Sequence, residues 1–528
     1  MAQPRLLREL PSKKALLATL PMALCRASSP YRSSRACSCF SMVGYRPSNL
    51  LSSGRVFQAV TIFCTGSGSS VMGICRLFLF AGCAMRWVSF FPVASASSGD
   101  VKSYAHFDKR VSLRMERVRQ YIMEPRNIIT HGFYPFIHFL KKEKRYGKKE
   151  GIKKRHLHYS AHLDCCIYQR YAFLINYRYN LWAQENGVSD VAIAYRDNLQ
   201  KNNIDFAKDA FIAISRFAKC FVMIGDFTDF FDSLDHAYLK RMLCKVLSVE
   251  RLPDDYFAVF KNITHFASWD WKDLIEATGE SICERKLRKK LNGKTTIITK
   301  EQFCEHKRVI FKNNTTKGIP QGSPISAVLS NVYMIEVDKQ LKKYVDELGG
   351  VYMRYSDDFI IILPYSNKGQ CNLFYEHIFS YFESLNALVK LQNEKTHCYI
   401  YQNGLVRELD TLNVSSINYL GFIFNGQTSK IRPRAITKYY YRMRRKARTI
   451  GMHNWKTFKG RHISAENLYE IYSDSKNKNT KKRGQNFISY ARRAKGRLKL
   501  VDPETDSLIK NNKRKIARAI KEGSKRIR

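Results

Sequence analysis

Residues 352–362 read YMRYSDDFIII, with two adjacent aspartates, Asp357 and Asp358, set between an aromatic, β-prone run and an almost wholly apolar one. A strand ending in Ile-Ile-Ile-Leu reads as buried, and carboxylates beside it are costly unless a cation or hydrogen bonds compensate them. Period-two alternation throws adjacent side chains to opposite faces of a regular strand, so both aspartates can serve one site only where the chain turns. Ser356-Asp357-Asp358, between VYMRY and FIIIL, supplies that turn and predicts a hairpin with Asp357 as the foremost metal ligand.

A second carboxylate segment lies more than a hundred residues upstream, in KCFVMIGDFTDFFDSLDHAYLKRML. The run CFVMIGDF predicts a buried strand that brings Asp226 to its end, and FFDSLDHAYLKRML predicts a turn into a helix. The spacing of Asp229, Asp232 and Asp235 is accounted for by the polar face of successive helical turns. That reading leaves Asp226 unexplained. A strand-end carboxylate suits an oxygen-seeking Mg²⁺, because the backbone sets the ligand's position. Two such strands can hold two Mg²⁺ roughly 4 Å apart, one at an attacking hydroxyl and one at leaving pyrophosphate.

The composition agrees with a polyanionic partner. Lys and Arg number 90 against 45 Asp and Glu, a formal charge of +45, and 13% of residues are aromatic, which makes nucleic acid with stackable bases the leading expectation, although charge alone does not separate it from an anionic membrane. Residues 1–114 differ from the rest, with 15 Lys or Arg, three acidic residues and six of the 14 Cys. Their periodicity is weak, and the apolar LFLFAGCAM between Arg76 and Arg86 is too short to span a bilayer. We expect a poorly ordered leader over 1–114, dispensable for function, with Met115 or a neighbour as the functional start. The other eight Cys show no paired CxxC spacing, which points to a reduced, cytoplasmic interior. The cluster RHLHYSAHLDCC, with His156, His158, His162, Asp164, Cys165 and Cys166, matches no common zinc finger and is read as a helix that packs or meets RNA.

Residues 115–159 read as helical and then strongly basic, and IYQRYAFLINYRYNLWAQ has helical spacing. VAIAYR reads as a short strand ending at Arg196, positioned to touch a triphosphate or template backbone or else solvated, and IDFAKDAFIAISRF as a helix. After Phe424, KYYYRMRRKARTI and residues 466–500 are helical, basic and aromatic. The tail SLIKNNKRKIARAIKEGSKRIR carries nine Lys or Arg against one Glu and reads as a phosphate-binding arm.

Taken in order, GDFTDFFDSLDH, TKGIPQGSPISAVLSNVYM, MRYSDDFIII, VKLQNEKTHCYI and INYLGFIF resemble the ordered motifs of bacterial reverse transcriptases of the group II intron-like lineage, over residues from about 220 to 425. The resemblance implies an α+β right-hand polymerase. Its units would be an N-terminal helical extension and fingers over 115–215, an antiparallel-sheet palm over 216–425 with inserted fingers helices at about 250–317, and a basic helical thumb with a C-terminal arm over 426–528.

It also implies roles. Asp226, Asp357 and Asp358 would be the palm carboxylates, with Asp358 supporting the site or meeting the primer end. Phe231 would be the steric gate against a ribose 2′-hydroxyl, with Phe227 beside it. Gln321 and Gly322 would lie along the incoming nucleotide and template, glycine permitting close backbone approach. Lys395 would stand near the triphosphate and offset charge on pyrophosphate. Tyr419, Leu420, Gly421 and Phe422 would form the primer grip.

The implied activity is RNA-directed DNA polymerisation with dNTPs and two Mg²⁺, on an RNA template or structured non-coding RNA, giving a DNA product. HLDCCIYQRYAFLINYRYN and AYRDNLQKNNIDFAKDAF are most similar to stand-alone, abortive-infection enzymes. That similarity implies antiphage defence in the bacterial cytoplasm, with a protein partner or homo-oligomer and no membrane. The alternatives are an intron-type maturase and a non-catalytic RNA-binding scaffold. Three carboxylates beside buried strands argue against the scaffold.

Overall fold

The structure, a computed structural model, describes residues 104–144, 152–279, 290–456, 460, 462–474 and 486–525, and the backbone alone of three earlier strands. The chain divides into two units, Met1–Phe90 and Phe91–Arg528. In the first, β1 (Ser48–Ser52), β2 (Arg55–Thr61) and β3 (Arg76–Leu77) form an antiparallel sheet in that order. The rest of the expected leader, up to residue 103, lies outside the described residues.

Residues 104–114, assigned to the leader from sequence, belong instead to the core of the second unit. Ala105 and His106 are fully buried, and Phe107 packs with Trp269 and Phe303. Asp108 explains why this segment is needed. The helix His162–Glu185 begins at Ala161, which has no side chain able to cap it. Asp108 takes that role from a distance: its Oδ1 accepts from the His162 N–H at 3.0 Å and its Oδ2 from the Leu163 N–H at 2.9 Å. A carboxylate on the first free N–H groups satisfies them and complements the helix dipole.

The segment expected to be helical and then strongly basic is helical at Glu116–Met123 and Pro125–Ile129. It continues as an antiparallel hairpin, β4 (Phe136–Lys144) and β5 (Ile152–Tyr159). The hairpin pairs Ile137 with Tyr159 and Phe139 with Leu157 on one face, and His138 with His158 on the other. This is the alternation of a half-buried strand. The strand β6 (Lys219–Asp226) follows in the chain, and then β7 (Ala267–Asp270) and β8 (Phe311–Lys312) return to complete the fingers sheet in the order β5-β4-β7-β8. The insertion at 250–317 therefore supplies strands as well as the expected helices. Ile137 and Trp269, cross-strand neighbours and fully buried, fill the core of this sheet against Phe107, Leu274 and Ile298.

The palm sheet has the order β12-β11-β6-β10-β9, every pair antiparallel, with β9 (Val351–Tyr355), β10 (Asp358–Pro364), β11 (His397–Gln402) and β12 (Leu405–Glu408). Helices cover one face and the opposite face meets the helix Asn203–Arg216, so β6 and β10 are buried on both sides and read as near-continuous apolar runs. Phe221, Met223, Phe359 and Ile361 enter one core; Val222, Ile224, Ile360 and Ile362 enter the other. Beyond the palm, β13 (Ile417–Tyr419), β14 (Phe422–Phe424) and β15 (Ser429–Ile431) form a small antiparallel sheet. Helices from Pro433–Met452 to Asn512–Ser524 then build the thumb. Among the described residues no helix is long and apolar enough to cross a membrane.

The capping geometry predicts that Asp108→Ala lowers the unfolding free energy by about 1–2 kcal/mol in urea denaturation. Deletion of residues 104–114 should destabilise the second unit far more, since it also removes buried Ala105 and Phe107. Unchanged stability in both variants would contradict the assignment.

Candidate active site

The hairpin β9–β10 closes through Ser356 and Asp357, with Tyr355 and Asp358 paired across it. Ser356 is buried and adopts a left-handed φ of 62°, a conformation in which a side chain crowds its own backbone. This turn resolves the objection posed by the adjacent aspartates. Asp358 opens β10 directly opposite Asp226, the last residue of β6, while Asp357 stays in the turn. The Asp357 carbonyl accepts from the Phe227 N–H at 3.3 Å, tying the turn to the residue that follows Asp226.

Electrostatics make the site uncomfortable as it stands. Burial, and then the charge of Asp226, push the Asp357 carboxyl above the usual range. Burial, Asp357 and Asp226 together push Asp358 up to about 7, against the opposing pull of Lys395 and Arg432. Lys395, at the end of the short turn Asn393–Lys395, places its ammonium on Asp226 Oδ2. Asp226 Oδ1 is buried with no hydrogen-bond partner. Hard carboxylate oxygens, mutually repelling and one of them unpartnered, fit a divalent cation such as Mg²⁺. Among the described residues no three His, Cys, Asp or Glu side chains are already arranged in ligating geometry.

The other expected residues fall into two groups. Near the carboxylates stand Lys395 and the β13–β14 turn. Leu420 and Gly421, both with positive φ, make the turn, and the Leu420 carbonyl accepts from Asn203 Nδ2 at 3.1 Å. Tyr419 is buried, its hydroxyl pushed up by burial and then by the charge of Asp358, and Phe422 stacks on Tyr490. Arg432 was not singled out from sequence. It donates to the Asn418 side chain at 2.8 Å, and its charge reaches Asp358; an arginine directly before Pro433 at the thumb's first helix was the available signal.

The loop PQGSP is fastened to the fingers. The His158 N–H donates to the Gln321 carbonyl at 2.9 Å, and Gly322 has φ 118°. A Cβ there would stand 2.5 Å from the His158 carbonyl oxygen, so only glycine permits this approach. Phe231 is half-buried against Phe230, and its carbonyl accepts from the Ile319 N–H at 2.9 Å, joining its segment to the same loop.

Two expectations are corrected. Arg196 is buried, not presented to a triphosphate: its guanidinium donates to Asn180 Oδ1, Ser189 and the Ala192 carbonyl, and lies over Tyr179. Its segment forms a single bridge, Ala192 to Arg354, in place of the predicted strand. The Phe227 ring is buried among Phe230, Phe359 and Phe382, so only its backbone joins the site. The histidine cluster is also split. His156 and His158 sit on β5 beside an open cavity of about 420 Å³ between Asp232 and Asp270, while Asp164, on the helix that follows, meets His131 and the Tyr134 N–H.

Residues 199–424 match the family described as reverse transcriptase (RNA-dependent DNA polymerase). That segment is similar to a reverse transcriptase domain. The matched segment includes the whole palm sheet, both carboxylate strands and the PQGSP loop, and the α+β right-hand polymerase expected from sequence is the fold observed. No curated protein matches the chain. Among solved structures it is similar to apo telomerase from Candida tropicalis truncated from the C-terminal domain, at 12% identity and TM-score 0.36, covering 56% of this chain and 55% of that one. It is also similar to telomerase from Candida albicans in complex with a fragment of telomeric RNA, at 12% identity and TM-score 0.34, covering 76% of this chain and 62% of that one. The chain thus spans 55% and 62% of the length of these two structures.

The crowded carboxylates yield a signed stability prediction. Asp358 titrates near 7 in the folded state, above the ~3.9 of an unfolded aspartate, so its ionisation opposes folding. The penalty is complete above about 7 and fades as pH falls towards 4. In metal-free buffer Asp358→Asn should melt above the parent at pH 8, and the gap should shrink at pH 5. A variant that melts lower than the parent at pH 8 would show that the carboxylate is compensated.

Proposed function

We propose that the protein is an RNA-directed DNA polymerase that adds dNTPs to a 3′-hydroxyl by two-metal phosphoryl transfer. The observation that carries this reading is the meeting of Asp226, Asp357 and Asp358 at one end of β6 and β10, inside the segment that matches the reverse transcriptase family. The three carboxylates would hold two Mg²⁺, which when bound activate the attacking hydroxyl and stabilise the leaving pyrophosphate.

The remaining work falls to the chain's own groups. Phe231 excludes a 2′-hydroxyl by volume, selecting deoxynucleotides. Gly322 lets the loop backbone lie close to nucleotide and template, and Lys395 offers a cation to the triphosphate in exchange for its contact with Asp226. The β13–β14 turn, held by Asn203, grips the primer. Thumb and tail cations contact template phosphates, and a formal charge of +45 favours RNA as template or as a structured partner. We extend the reading to antiphage defence in the bacterial cytoplasm. Its support is the similarity of residues 162–180 and 194–211 to stand-alone defence enzymes.

The test is incorporation of labelled dNTPs by the full chain on an RNA template with a DNA primer and Mg²⁺. Asp357→Asn should reduce kcat on the order of a thousandfold or more; equal incorporation by variant and parent would sink the catalytic assignment. Phe231→Ala should raise ribonucleotide incorporation relative to deoxynucleotide, and an unchanged ratio would remove Phe231 from the gate.

A further inference from the structure

Arg354, the arginine within YMRYSDD, is fully buried, as is its partner Asp338 on the helix Ile335–Glu347. The pair is bidentate: Arg354 Nε donates to Asp338 Oδ1 at 2.8 Å and Nη2 to Oδ2 at 2.7 Å. Tyr352 completes the carboxylate, its hydroxyl donating to Oδ1 at 3.0 Å. A buried ion pair is weak evidence for stability, because desolvation offsets most of the attraction and apolar groups of similar volume often serve as well. Its presence two residues before the catalytic turn asks for another reason.

The third nitrogen supplies it. Arg354 Nη1 donates to the Ser356 carbonyl at 2.8 Å, and that carbonyl begins the peptide leading into Asp357. The carbonyl on the other side of Asp357 is held by the Phe227 N–H. Asp357 is thus pinned on both flanking carbonyls, one of them by a charged donor, while Ser356 stays in its left-handed conformation. The same arginine is anchored by its backbone, donating to the Val191 carbonyl at 2.8 Å and accepting from the Ile193 N–H at 2.9 Å. Asn331 Oδ1 lies 3.4 Å from Nη1, and Asn331 Nδ2 donates to the Ala194 carbonyl.

We propose that Arg354, oriented by Asp338, is a positioning residue that sets the Ser356–Asp357 peptide and thereby the placement of the Asp357 carboxylate for cation binding and phosphoryl transfer. The geometry explains the choice of arginine: its fork occupies both Asp338 oxygens and still leaves a nitrogen for the turn, which a lysine ammonium cannot match. This rests on the polymerase reading for its catalytic half only, since cation binding by Asp357 can be read without turnover.

The test compares three full-length variants with the parent by thermal melting, by the rise in melting temperature on adding Mn²⁺ or Mg²⁺, and by dNTP incorporation. Arg354→Met alone leaves the Asp338 carboxylate buried without its cation, with the Tyr352 hydroxyl as its remaining partner, and should melt roughly 10 °C lower. The triple variant Arg354→Met/Asp338→Leu/Tyr352→Phe removes every polar group of the pair and should regain most of that loss. Its cation response should stay at least halved and its kcat at least tenfold down, with KM for dNTP little changed. Recovery of cation response and kcat together with stability would overturn the proposal and leave the pair merely structural. Arg354→Lys, which keeps the charge, covers the case in which the triple variant does not fold: it should lose kcat and cation response with a smaller loss of melting temperature, and parental values for both would equally overturn it. If the parent itself incorporates nothing, the polymerase reading fails, while the cation response still decides the positioning role.

Discussion

The pairing of β6 with β10 sets Asp226 directly opposite Asp358, and much of the second unit serves to make that unfavourable juxtaposition tolerable. Like charges facing each other across strands repel, and burial strengthens the repulsion. The apolar remainder of both strands counteracts it. From Cys220 to Ile224 and from Phe359 to Leu363 every side chain is buried, and a one-residue slip would exchange their two faces. The register that buries these side chains therefore also brings the carboxylates together, and hydrophobic burial holds in place a charge arrangement that would otherwise separate.

Around this pair the protein uses distant groups for local tasks. Asp108 caps a helix that begins more than fifty residues later, Asn203 holds the turn at Leu420, and His158 in the fingers meets the loop at Gln321. Each contact crosses from one structural layer to another. They tie fingers, palm and the approach to the thumb to the same few loops, so the site's geometry depends on packing well outside it. Arg354 applies the same logic beneath the Ser356–Asp357 turn, where its guanidinium meets a helix and the turn while its backbone meets a neighbouring segment.

The limits of a sequence reading follow from where the information lies. The hairpin at residues 351–364 and the strand ending at Asp226 were legible because burial on two faces writes a long apolar run, and a turn residue interrupts it. Arg196 was misplaced because an arginine after a short apolar run looks the same whether its guanidinium meets a phosphate or the oxygens of three neighbouring residues. The fingers sheet was missed because its alternation is diluted by lysines, and two of its strands come from a segment more than a hundred residues away.

By itself the sequence determined the two carboxylate strands, the turn between Asp357 and its neighbours, the order of the motifs and the basic helical end of the chain. These are properties of adjacent residues: periodicity, turn chemistry and charge. Only the tertiary structure decided that Asp358 faces Asp226, that Arg354 pairs with Asp338 while holding Ser356, that Arg196 and the Phe227 ring are buried, and that residues 104–114 belong to the core. Those outcomes depend on which distant surfaces exclude water together, and that free energy is summed over the folded chain rather than carried by any one stretch of it.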